Sequence, residues 1–95
     1  MPVYIVATVH VRDAERFAAY GKAIAGLSEA HGGEYIVRGP VSAFLEGSGP
    51  DGERIVVSRF PDAASARAYI ESSTYQTARA AREGAADVTM RLIEA

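Results

Sequence analysis

Two stretches of this chain are apolar on both of their alternating faces, Val3-Tyr4-Ile5-Val6 and Ile55-Val56-Val57. An antiparallel strand with one wet face alternates apolar and polar residues, whereas a strand that is apolar on both sides needs cover on both. With 95 residues the chain is about the size of one domain, and it has no second hydrophobic core with which to supply that cover. The missing cover is therefore expected from the same face of a second copy, in a closed, isologous homodimer.

The rest of the chain divides into alternating elements. Val3 to Val11 sets Val3, Ile5, Ala7, Val9 and Val11 against Tyr4, Val6, Thr8 and His10, which predicts a first strand. Asp13 stands at an N-cap position, and Phe17, Tyr20, Ile24, Leu27 and His31 recur at steps of three and four. That stripe predicts one helix, closed by Gly32-Gly33. Glu34 to Glu46 reads as a second strand, bent or divided at Gly39-Pro40, where proline removes a ladder donor. The turn formers from Gly47 to Gly52 then join it as a hairpin to Arg54–Phe60. Asp62 caps a segment that turns Ala66, Tyr69 and Ile70 inward, Ser72 or Ser73 caps a continuation over Tyr75 to Glu83, and Val88 to Ile93 forms the last strand. The order β-α-β-β-α-β, spread over residues 1–95 as a single domain, is the ferredoxin-like α+β pattern with an antiparallel sheet. Paired through the uncovered sheet face, two copies make a closed dimer.

Composition narrows the function classes. Ten basic residues against twelve acidic ones give a net charge of -2 without a basic cluster, so nucleic acid is not an expected partner. The absence of cysteine excludes disulfides, thiolate catalysis and cysteine zinc sites. No apolar run approaches the roughly 20 residues that span a bilayer. The opening Met-Pro-Val-Tyr-Ile-Val has neither a basic region nor a small-residue cleavage site, so no membrane is expected and the chain reads as cytoplasmic. Walker, G-x-G-x-x-G and G-x-S-x-G signatures are missing, and His10 and His31 do not have metal-ligand spacing, so neither a cofactor nor a metal is expected.

Several short motifs, Ala30-His31-Gly32-Gly33, Arg38-Gly39, Leu45-Glu46-Gly47, Phe60-Pro61, Ser72-x-x-Tyr75-Gln76, Arg79 and Arg82-x-Gly84-Ala85-Ala86-Asp87, run in an order and spacing that resembles the family called domain of unknown function 1330. The resemblance covers essentially the whole chain and departs from the usual pattern at Ile70 and Ser73. It implies a dimeric α+β barrel built from the sheets of two subunits, and it brings no established reaction with it.

The residues with chemical potential are few. His31 closes the first helical stripe, at a helix C-terminus that favours a cation, and is a candidate acid or base. The alternative is a histidine that serves only to bond the last helical carbonyls. Tyr75, Arg79 and Arg82 fall on one helical face, where arginines and a phenol can hold a carboxylate, or can equally be a solvated face. Arg38 precedes the Gly39-Pro40 break and pairs on paper with Glu46 across it; Tyr20 shares the stripe of His31 and is either core or a hydroxyl donor.

The leading expectation is a small-molecule pocket protein. It acts without a cofactor by acid/base chemistry on a small acidic or enolisable compound. His31 and Arg38 are the catalytic candidates; Tyr20, Tyr75 and Arg79 bind the ligand, a small organic acid. Convergence of His31, Arg38 and Arg79 on one pocket is part of that expectation. The rival is a non-catalytic dimeric ligand-binding or structural module in which the same residues pack and pair at the surface.

Overall fold

A computed structural model describes residues 1–95. The elements are β1 (Val3–Val11), α1 (Ala14–Ala23), α2 (Leu27–Ala30), β2 (Glu34–Pro40), β3 (Arg54–Phe60), α3 (Ala63–Glu71), α4 (Ser73–Ala81) and β4 (Ala86–Glu94). They form the ferredoxin-like α+β fold. The sheet is wholly antiparallel with strand order β2-β3-β1-β4. The two strands that are apolar on both faces, β1 and β3, thus take its centre, where a strand has neighbours on both edges and both faces matter most.

One sheet face carries the helices. Val3, Ile5, Ala7 and Val9 of β1 are buried there, and Val3 and Ile5 pack in one core with Tyr20, Phe60, Ala66, Tyr69, Tyr75 and Ala78. On the opposite face Tyr4, Val6 and Val57 are half-buried and Val37 and Ile93 are 51% and 44% exposed. Nothing in one copy of the chain covers that face.

The caps follow the sequence. Asp13 accepts from the Arg16 amide, Asp62 from the Ser65 amide and Ser72 from the Tyr75 amide. The Ser72 cap divides the second helical segment into α3 and α4. Three other expectations are corrected. The single helix from Asp13 to His31 is broken, because Gly26 adopts a left-handed conformation at φ 76° between α1 and α2. The second strand stops at Pro40, and the residues from Val41 to Glu53 form a loop rather than a strand reaching Glu46. The last strand runs longer than expected, from Ala86 to Glu94. Gly33 is needed for a different reason: a Cβ there would lie 2.6 Å from the Phe60 ring, which is the close approach that docks α2 on β3.

Candidate functional site

Between the helices and the covered sheet face lies a cavity of about 380 Å³. Small residues on both walls leave it open. In the register of the sheet, Arg38, Val56, Ala7 and Met90 stand in one row across the four strands, with the two smallest in the middle. Gly21, Ala25 and Gly26 face them from the helical side.

The inner end of the cavity is built around Arg82. This residue follows α4 directly and is only 8% exposed. Its position is held by its surroundings: the Arg16 guanidinium donates to the carbonyls of Ala81 and Glu83, and the amides of Arg12 and Asp13 donate to the carbonyl of the fully buried Ala85. The Arg82 guanidinium lies 4.6 Å from the Tyr20 ring centroid and donates to the Tyr75 hydroxyl at 3.2 Å. Arg82 has no carboxylate partner: among the carboxylates, Asp87 pairs with Arg12 and lies 3.9 Å from His10 Nδ1, and Glu34 pairs with Arg59. A buried charge left without an ion is costly, and aromatic faces offset only part of that cost.

The phenols around it have fixed roles. The Tyr75 oxygen accepts from Arg82 and, at 3.3 Å, from Tyr20, while its own proton points to Met90 Sδ at 3.5 Å. Burial first, and then the Tyr75 hydrogen bond, push the Tyr20 phenol well above its usual range; burial does the same to Tyr69. Both are neutral at physiological pH and not phenolate bases, and Tyr20 donates to Tyr75. One guanidinium N–H is used by Tyr75, so of the five donors an arginine carries the others remain for an anion in the cavity.

The outer end is open. Arg38 is exposed and its guanidinium lies 4.6 Å from the Tyr35 ring centroid. Residues three apart on a regular strand point to opposite faces. Here the register shifts between Tyr35 and Val37, so Tyr35 pairs with Ser58 and Arg38 with Val56 on the same face. The bulge thereby turns both side chains toward the cavity. Arg38 stacks on Tyr35 and makes no pair with Glu46. Arg54 and Glu29 also line the cavity, Glu29 accepting from the Ser28 hydroxyl at 3.2 Å.

Tyr20 and Arg38 therefore line one cavity, and Tyr75 stands just behind it as the partner of Arg82. His31 and Arg79 do not line it. His31 Nδ1 lies 3.0 Å from the Leu27 carbonyl; a carbonyl only accepts, so Nδ1 carries the proton. Arg79 is exposed on the outer face of α4, whereas Tyr75, at 1% exposure, and Ala78 are buried on the inner one. The face read from Tyr75, Arg79 and Arg82 as one cationic surface thus divides, with Arg79 outward and Arg82 inward. The signal for Arg82 was present in the stripe Tyr75, Ala78, Arg82 and Ala85, whose steps of three, four and three put an arginine in line with residues that pack.

The class of protein defined by this architecture is the ferredoxin-like α+β domain, and comparison with known proteins agrees. The chain belongs to the DUF1330 family, described as a domain of unknown function, whose sequence model matches residues 2–95. Among solved structures, a protein of unknown function from Rhodopseudomonas palustris superposes with a TM-score of 0.82 at 22% identity, over 99% of this chain and 82% of its own. A dimeric ferredoxin-like protein of unknown function from Jannaschia sp. CCS1 gives 0.73 at 19% identity, over 100% of both chains. SnoaB of Streptomyces nogalater, a cofactor-independent oxygenase, gives 0.69 at 15% identity, over 99% of this chain and 92% of its own. No curated protein matches the chain.

Proposed function

We propose that the chain is a homodimeric small-molecule pocket protein that binds a small organic acid in the cavity between its helices and its sheet. The observation that carries this reading is Arg82, a buried guanidinium with spare donors, no carboxylate of its own and an open cavity beside it. A ligand carboxylate supplies the missing charge through charge-assisted hydrogen bonds. Apolar residues such as Ile5, Ala7 and Val56 receive the ligand's body.

The same arrangement suits acid/base chemistry on an enolisable acid. Arg82 stabilises the negative charge that develops on oxygen when a neighbouring C–H proton is removed, and Glu29, the carboxylate of the lining, takes that proton and returns it. Glu29 replaces His31 as the base in this reading, because His31 does not line the cavity. The fold shared with a cofactor-independent oxygenase supports chemistry of this kind done by side chains alone.

The test is thermal stability in the presence of benzoate and pyruvate. A ligand at 100 times its Kd stabilises the folded state by about 2.7 kcal/mol. We expect an upward shift of Tm with the wild-type protein and with Arg79→Gln, and none with Arg82→Gln. A wild-type Tm that ignores every monocarboxylate tried contradicts the proposal.

A further inference from the structure

The cavity carries positive charge at both ends. Arg82 sits at the end over β4, where Tyr75 touches Met90, and Arg38 rises from β2 at the opposite edge of the sheet. Met90 and Arg38 are the two ends of the row that crosses the sheet through Ala7 and Val56. Three interstrand spacings separate them, about 14 Å of backbone. Between these ends the floor is apolar.

Arg38 is not alone at the outer end. Arg54 lies on β3, opposite Pro40, on the same face and diagonal to Arg38. Two arginines of the fold hold carboxylates, Arg12 that of Asp87 and Arg59 that of Glu34 directly across the strands, and the remaining seven hold none. Arg38 and Arg54 hold none. Like charges at neighbouring sheet positions repel, and an anion between them removes the penalty. The cavity lining as a whole has three arginines against the one carboxylate of Glu29, an excess of two positive charges, where one carboxylate ligand would neutralise one.

Resting on the reading of this cavity as an organic-acid pocket, we infer that its ligand is an acid with two anionic groups: one held by Arg82 at the buried end, the other by Arg38 and Arg54 at the mouth, joined by a short apolar body. The pairing gives the pocket direction as well as affinity. The inner group meets a guanidinium fixed by Tyr20 and Tyr75, whereas the outer one meets two side chains that reach it from the rim.

The experiment is calorimetric titration of the full chain with adipate and with hexanoate, which share a carbon skeleton and differ in the second carboxylate. Adipate is expected to bind about 10-fold more tightly or better, a step of about 1.4 kcal/mol. In R38Q/R54Q the advantage of adipate disappears, the loss falling mainly on adipate; R82Q weakens both acids. Equal affinity for the two acids in the wild-type protein, or an adipate advantage that survives R38Q/R54Q, overturns the two-anion inference and leaves the simpler pocket standing. Failure of both acids to bind removes the pocket reading together with this one.

Discussion

Arg82 and the phenols beside it determine what the cavity can recognise, and they also make a prediction about pH. Tyr20 and Tyr69 are held neutral mainly by burial. In the unfolded chain each releases its proton near the ordinary value of 10.0, while the folded chain keeps it. Above that pH the folded state binds more protons than the unfolded one, so their contribution to stability, complete below the unfolded value, is lost as pH rises past it. Denaturant midpoints should be insensitive to these groups near neutrality and fall in the alkaline range. Tyr69→Phe should flatten that fall, and an alkaline profile identical in wild type and variant would refute the assignment. Sequence alone gave the residue types of this site, with Tyr20 and Tyr75 among them, but it favoured Arg79 over Arg82. Helical spacing cannot tell which of two neighbouring arginines faces inward until the apolar stripe of the helix is given more weight than its charge.

Among the elements, alternation along β1 and β3 and the caps at Asp13, Asp62 and Ser72 were readable because each depends on local chemistry. The break at Gly26 was not, and at Gly39-Pro40 an interruption was readable but not that the strand ends there. The stripe from Phe17 to His31 continues in step across a left-handed glycine, so periodicity alone does not reveal it. The bulge after Tyr35, which brings Arg38 to the cavity, left no mark in residue pattern either; a glycine-proline break was visible, but three residues later. Docking of the short α2 rests on few side chains. Leu27 is half-buried against the core, so Leu27→Ala should cost about 1–2 kcal/mol, below the 2–5 kcal/mol of fully buried leucines. Chemical denaturation checks this, and a loss under about 0.5 kcal/mol, typical of surface positions, would mean that α2 does not pack as described.

For the whole molecule, one unresolved demand remains in a single chain: a sheet face bearing Tyr4, Val6, Val57, Val37 and Ile93 with no cover. A second copy presenting the same face would satisfy it, and a fold neighbour described as dimeric is in keeping with this. Val57→Lys would place a charge at the centre of such an interface, where burying it unpaired is unfavourable. Wild-type protein is expected to sediment as a dimer at micromolar concentration and Val57→Lys as a folded monomer; a wild-type monomer contradicts the arrangement. This need was legible in the sequence because it is a property of alternation, whereas the cavity on the other face is a property of packing and became visible only with the fold. The role of the cavity turns on whether the guanidinium of Arg82 receives an anion. The direct measurement is the nuclear magnetic resonance signal of the Arg82 Nε–H group, assigned by its loss in Arg82→Gln, during titration with a small carboxylate. The signal should move and saturate with the ligand while that of Arg79 stays in place; an Arg82 signal that remains still as carboxylate is added contradicts an anion-binding role for Arg82.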